Sequence, residues 1–267
     1  MKILILSPHR GDAAFSLSLA ITNWLAARHT VTILNIFTRS LHAPFSDVEF
    51  VHENDRMSYV SAMRLREDGL FVQRLQQNLS KSAKTNLQMV DLNLKDAPIR
   101  LRCSIEDICD RPVNPDDPAI EKIRKALTRQ SEAGAMDALV VPLALGEHVD
   151  HLTVRAAALP LTPTLPSAFY EDLPYAATHP SAATDLSALR EEVTTQLNEP
   201  LTPTLCQHPS AAELKHRLLT LYTSQLNDEA ATRITDFGRR YQGGERLWAN
   251  EQWRKAGQNL LSSPQTL

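Results

Sequence analysis

Apolar residues fall along this chain in short runs, and two of the runs end abruptly in imidazole and carboxylate side chains. The first, residues 2–7, reads Lys-Ile-Leu-Ile-Leu-Ser, the near-continuous apolar pattern of a strand buried on both faces. It gives way to Pro8-His9-Arg10-Gly11-Asp12 and then to an Ala/Leu/Ile-rich segment, residues 13–27. Phe15, Leu17, Leu19 and Ile21 alternate as in a strand. The segment's length, its alanines and the spacings Leu17–Ile21 and Leu17–Trp24–Leu25 predict a helix, with Asp12 as its N-cap. Residues 31–37 form the next apolar run. Strand, helix and strand with tight connections make a βαβ unit, and hence a parallel sheet.

The pattern continues less regularly. Residues 38–51 read as a loop, and residues 55 to about 78 as a long helix carrying Arg64, Arg66, Glu67 and Asp68. Residues 86–92 fit a strand, and 95–118 are weakly patterned. Asp117-Pro118 opens a helix, an N-cap followed by proline at the first helical position, with Ile120, Ile123 and Leu127 on its buried face. The apolar run 138–143 ends in Gly146-Glu147-His148-Val149-Asp150-His151, and 152–159 continues as helix, repeating the opening pattern. Residues 169–172 form a short strand that again ends in acidic residues.

The hexapeptide Pro-Leu-Thr-Pro-Thr-Leu occurs at 160–165 and at 200–205, with flanks that do not match. It is read as coincidence rather than repeat, and its prolines predict an extended backbone in both copies. Residues 178–185 are expected as a surface loop, 211–225 as a helix and 262–267 as a frayed end. No low-complexity linker divides the chain. The expectation is one domain over 1–267 with C-terminal elaborations: an α/β fold, Rossmann-like, its mostly parallel sheet flanked by helices.

Composition narrows the function classes. At 43% hydrophobic and 22% charged, the chain has material for a sizeable core. A net charge of -3 leaves no basic footprint for nucleic acid and no polybasic stretch for an anionic membrane. Cys103, Cys109 and Cys206 follow no metal-binding spacing and read as small buried residues of a reducing compartment. His9, Arg10 and Asp12 interrupt the N-terminal apolar run before it reaches signal-peptide length, so a cytoplasmic protein is expected.

Candidate chemistry lies where the two apolar runs end. In a parallel sheet all strand carboxyl ends share one edge, so turns distant in sequence converge there. His9, Asp12 and one histidine of His148 and His151 would form a site of two imidazoles and a carboxylate, a set that suits zinc with a fourth position open. Water on such an ion titrates near roughly pH 7.

These residues resemble the LmbE-like, or PIG-L, family of zinc-dependent N-deacetylases. The resemblance rests on Pro8-His9-x-x-Asp12 and His148-x-Asp150-His151. Glu171-Asp-Leu-Pro-Tyr175, Arg66-Glu67-Asp68, and Lys215 with Tyr222-Thr-Ser224-Gln225 extend it along most of the chain. It implies a Rossmann-like sheet with the metal at its carboxyl edge. It implies one Zn2+, or another divalent ion in its place, held by His9, Asp12 and His151. His148 would stabilise the tetrahedral intermediate or protonate the leaving amine, and Asp150 would orient His148. The substrate implied is an N-acetylated amino sugar, of the N-acetylglucosamine type, linked to another group.

The chain departs from the family at one position. Where members carry a first aspartate as general base, this sequence has Gly11. General-base catalysis contributes about 10²–10⁴-fold, so metal alone implies a slow enzyme. Glu147 or Asp150 is the candidate substitute base. Otherwise the chain is a catalytically silent metal- or sugar-binding module on the deacetylase scaffold, or Gly11 is a substitution that traps substrate. A nucleotide-binding domain is set aside, because no Gly-rich phosphate loop follows the first strand.

Overall fold

A computed structural model gives the fold, and it describes residues 1–46, 48–77, 86–178 and 182–257. Its centre is a seven-stranded sheet ordered β3-β2-β1-β4-β5-β7-β6. The strands are β1 (Lys2–Ser7), β2 (Thr30–Asn35), β3 (Leu87–Asp91), β4 (Ala138–Pro142), β5 (Ser167–Tyr170), β6 (Thr202–Cys206) and β7 (Glu245–Ala249). The five from β3 to β5 run parallel, with Ile3 opposite both Val31 and Ala138. β7 pairs antiparallel with both β5 and β6. β1 and β4 lie at the middle of the parallel part and are almost wholly buried, as their unbroken apolar runs require.

Helices cover both faces, as parallel strands joined by crossovers demand. They are α1 (Asp12–Ala26), α2 (Glu53–Gln76), α3 (Ala97–Arg100), α4 (Pro118–Glu132), α5 (Val149–Ala158), α6 (Tyr175–Thr178), α7 (Ala182–Leu197), α8 (Ala211–Leu219), α9 (Asp228–Phe237) and α10 (Glu251–Gly257). Asp117 caps α4 through Ala119 N–H, as its sequence predicts. Among the described residues no helix is long and apolar enough to cross a membrane. The three cysteines are free, and Cys206 is buried.

Several expectations need correction. Gly11, not Asp12, is the N-cap residue of α1, because the Asp12 carboxylate turns back to accept the N–H of His9. The first copy of the hexapeptide lies in a 3-10 helix, Leu159–Thr164, where the hydroxyls of Thr162 and Thr164 bond back to the carbonyls of Leu159 and Leu161. The second copy is extended as expected, within β6 against β7. Residues 182–185, expected in a loop, already belong to α7, while 179–181 and the end at 262–267 lie outside the described residues. The helix expected over 211–225 stops at Leu219.

Helix α1 is broken once, at Leu17, whose backbone leaves the helical region at φ -131°. The buried Glu245 carboxylate enters the break. It accepts the N–H groups of Leu19 and Ala20 and the Ser18 hydroxyl, and it pairs with the buried ammonium of Lys215 at 2.5 Å. A helix start leaves N–H groups without partners, and a carboxylate there meets both the missing bonds and the helix dipole. The break thus has a named cause, a side chain inserted into the hydrogen-bond ladder.

A second network joins the other segments that carry the resemblance. Glu67 of α2 accepts Ser224 N–H and Oγ–H and the Gln225 amide, and Asp68 accepts the Tyr222 hydroxyl at 3.0 Å. Arg66 stays exposed, so the charged cluster on α2 divides into a buried and a solvated part.

Candidate metal centre and cleft

Three adjacent strands deliver the site. β1 ends into His9 and Asp12, β4 leads to His148, Asp150 and His151 at the start of α5, and β5 ends into Asp172. Ser7 fixes the first turn by donating its hydroxyl to His9 O at 2.6 Å and accepting Ala13 N–H. His148 is the N-cap of α5, its Nδ1 accepting Asp150 N–H at 3.1 Å.

The three residues matched to ligands come together. Asp12 Oδ2 lies 3.2 Å from His9 Nδ1 and 3.2 Å from His151 Nε2. A tetrahedral zinc site with bonds near 2.0–2.1 Å has edges of about 3.3 Å; these two edges match it, and the ligand atoms of all three residues lie within 4.8 Å of one another. His151 adds the decisive detail. Its Nδ1 donates to Asp172 Oδ1 at 2.6 Å, while its Nε2 is buried without a hydrogen-bond partner. A histidine anchored through one nitrogen on a carboxylate, with the other nitrogen free, is the arrangement of a metal ligand with its outer-shell support.

His9, His148 and Asp150 also bring ligand atoms within 4.8 Å of one another. In that set the donors are already engaged. Asp150 Oδ2 is 2.9 Å from His9 Nε2 and accepts Ala97 N–H, while Oδ1 accepts from Arg100 at 2.7 Å. Asp150 therefore does not hold His148 through its carboxylate, the role the family resemblance implies for it. Its backbone N–H holds His148, and its carboxylate holds His9.

Electrostatics follow from this placement. Burial opposes the charged form of both His9 and His151, but the neighbouring carboxylates prevail, raising His9 and pushing His151 up to about 10. Burial likewise works against the Asp12 and Asp150 carboxylates, yet the histidines hold both well below the usual range. Such a site attracts positive charge, and a divalent ion would take the place of the protons. His148 differs: burial and the charges of His9 and His151 drive it well below the ordinary histidine value. It is a neutral ring, and because its Nδ1 accepts a hydrogen bond, its proton sits on Nε2.

A cleft of about 170 Å³ opens over this cluster. Ser40, His42, Arg64 and Asp96 give it a polar side, and Phe15, Pro44, Ile105, Ile108 and Leu226 an apolar one. The Tyr175 ring lies edge-on to both His148 and His151. Glu147 does not line this cleft. With φ at +55° its exposed side chain leaves the turn towards solvent, which removes the contact a substitute base needs.

Gly11 has φ +102°, and a Cβ built on it would lie 2.6 Å from Phe15 Cζ and 3.2 Å from Gln225 Nε2. Position 11 is packed as a glycine. The residues that sequence reasoning passed over are Asp172 and Asp96. Asp172 ends the strand next to β4, and that adjacency was its signal; Asp96 lies in the weakly patterned region.

No family model and no curated protein matches the chain, but solved structures do. The deacetylase of the teicoplanin biosynthesis pathway superposes with a TM-score of 0.63 at 20% identity, over 93% of this chain and 97% of that one. The chain has the LmbE-like deacetylase fold. The N,N'-diacetylchitobiose deacetylase of Pyrococcus horikoshii shares this fold with a TM-score of 0.54 at 15% identity, covering 93% and 83% of the two chains. The 4-carboxy-2-hydroxymuconate hydratase GalB of Pseudomonas putida shares it as well, at 0.50 and 11% identity over 94% and 95%. The LmbE-like fold therefore carries more than one reaction, and function has to be argued from the site.

Proposed function

We propose that the chain is a metal-dependent N-deacetylase of N-acetylated amino-sugar conjugates, with His9, Asp12 and His151 holding one divalent ion, zinc in the first instance. The observation that carries this reading is the buried, unpartnered Nε2 of His151, 3.2 Å from Asp12 and braced from behind by Asp172, next to a cleft that His9, Asp12 and His148 line. When bound, the ion would polarise the amide carbonyl and lower the pKa of water.

The chain's own residues supply the rest. His148, neutral and protonated on Nε2, donates a hydrogen bond to the oxyanion that forms as the amide carbon becomes tetrahedral. A fixed donor in a buried site suits developing charge, because little reorganises during the reaction. Its low pKa favours this over protonation of the amine. Asp150 holds His9 in place, and Arg100 in turn holds Asp150. Arg64, Ser40 and His42 face the substrate with polar groups, and the apolar wall excludes water from the other side.

Acetate release from N,N'-diacetylchitobiose and from glycopeptide-linked N-acetylglucosamine, with metal content measured in parallel, tests the proposal. Wild type is expected to carry about one equivalent of metal and to release acetate; His151→Ala is expected to lose both. Gly11 favours the second reading, a silent binding module. Metal-loaded wild type that binds these conjugates and leaves their acetyl groups intact would establish it in place of the first.

A further inference from the structure

Hydrolysis of an amide needs a group to take a proton from water, and position 11 supplies none. Among the described residues only two carboxylates line the cleft, Asp12 and Asp96. Asp12 is committed between His9 and His151. Asp150 has both oxygens engaged, Asp172 serves His151 and Leu145 N–H, and Glu147 faces solvent.

Asp96 is different in kind. It is only 4% exposed, and its Oδ1 is buried without a hydrogen-bond partner. It precedes α3 in the N-cap position, yet its side chain makes no cap hydrogen bond, so the usual employment of such a residue is absent. The next residue, Ala97, donates its N–H to Asp150 Oδ2, the atom that also meets His9 Nε2, and this ties the Asp96 backbone to the metal cluster. An unpaired carboxylate oxygen inside a polar cleft is costly unless it serves a function.

We infer that Asp96 is the general base of this site, a carboxylate delivered by the β3–α3 connection in place of the one missing after β1. The inference rests on the deacetylase reading. Asp96 takes a proton from water as the water oxygen bonds to the amide carbon. The tetrahedral carbon then expels the amine nitrogen, which takes that proton from Asp96 as the C–N bond breaks. Acetic acid and the free amine result, and Asp96 returns to its carboxylate form.

The groups facing Asp96 come from every neighbouring element: His9 from the β1–α1 turn, Ser40 and His42 from the β2–α2 connection, Arg64 from α2 and Asp150 from α5. Burial outweighs the Ser40 hydrogen bond and leaves the Asp96 carboxyl above its ordinary value, the direction that makes a carboxylate a better base.

Two variants of the full chain test the inference. Asp96→Asn is expected to keep its metal and its KM while kcat falls about 10²–10⁴-fold and the acidic limb of the kcat–pH profile disappears. Ser40→Ala keeps the carboxylate but removes its donor, so the acidic limb is expected to move to higher pH. A raised KM with kcat unchanged in Asp96→Asn would make Asp96 a substrate-hydroxyl partner and overturn the inference, as would an unmoved limb in Ser40→Ala.

A third readout needs no turnover. With cobalt bound, the visible spectrum of wild type and Asp96→Asn is titrated against pH. A midpoint differing by about one unit or more supports a carboxylate coupled to the ionising water, and superimposable titrations overturn it. If wild type releases no acetate but the midpoints differ, the deacetylase reading fails while the place of Asp96 stands.

Discussion

The Phe15 ring stands where a side chain on Gly11 would have to go, 2.6 Å from the position its Cβ would take. Phe15 is itself held edge-on by Tyr222 at 5.0 Å, so it has little freedom to retreat. Gly11 is therefore part of a packed unit, and a side chain placed there requires the Phe15 ring to move.

Gly11→Asp is accordingly expected to lower stability by about 1–3 kcal/mol, the range for overpacking, with the positive φ adding strain. It is expected to give no gain in activity. Urea unfolding checks the first and acetate release the second. In a Phe15→Ala background the same change should cost less, and the double-mutant cycle measures the coupling.

Asp172 makes two demands that one amide cannot meet. Its Oδ1 accepts His151 Nδ1–H and its Oδ2 accepts Leu145 N–H. Asn offers one acceptor, so Asp172→Asn must give up one contact or point a donor at a donor. The expected result is metal affinity weakened about 10–100-fold, measured by competition with a chelator. Unchanged affinity would remove His151 from the ligand set.

Lys215 and Glu245 are 2% and 4% exposed, a buried ion pair 2.5 Å apart. Removing one member of such a pair strands the other, at a cost of about 3–5 kcal/mol. Lys215→Met should destabilise by that order in urea unfolding. Lys215→Met combined with Glu245→Gln should destabilise less than the two single effects added together.

Asp68 predicts a pH dependence of stability. Burial, only partly offset by Arg10 and Tyr222, raises its carboxyl to about 7 from 3.8. Between these values the folded chain binds more protons than the unfolded chain, so stability falls as pH rises. This contribution is fully present below about pH 4 and is lost as pH passes through about 7. In Asp68→Asn the slope of unfolding free energy over that window should be shallower, as chemical denaturation at several pH values would measure.

The parallel centre of the fold was legible because β1 between Lys2 and Ser7, and β4 throughout, are unbroken apolar runs, the pattern of strands buried on both faces. The same pattern located His9, Asp12, His148 and His151, since it showed where each run stopped. The antiparallel edge was not legible. β6 alternates half-buried and exposed residues up to Cys206, and four of its five residues belong to the repeated hexapeptide, whose other copy lies in a 3-10 helix. Identical residues took two conformations because one copy pairs with β7 and the other continues α5, a choice made by tertiary contacts. Asp12 was read as a cap because, without the neighbouring turn, a carboxylate before a helix has that use most often. Asp96 was missed for the opposite reason: it occupies a cap position and does not cap.

The carboxylate lodged in the break of α1 links two segments far apart in the order of synthesis. Asp12 lies at the start of α1, yet the helix that carries it needs Glu245, from β7, to satisfy its interrupted backbone. A nascent chain released before β7 would hold all three matched ligands, but Asp12 would sit on a helix with its mid-point unpaired. Assembly of the centre thus waits on a segment synthesised long after its first ligands, and chains truncated ahead of residue 245 should capture metal poorly although all three ligands are present.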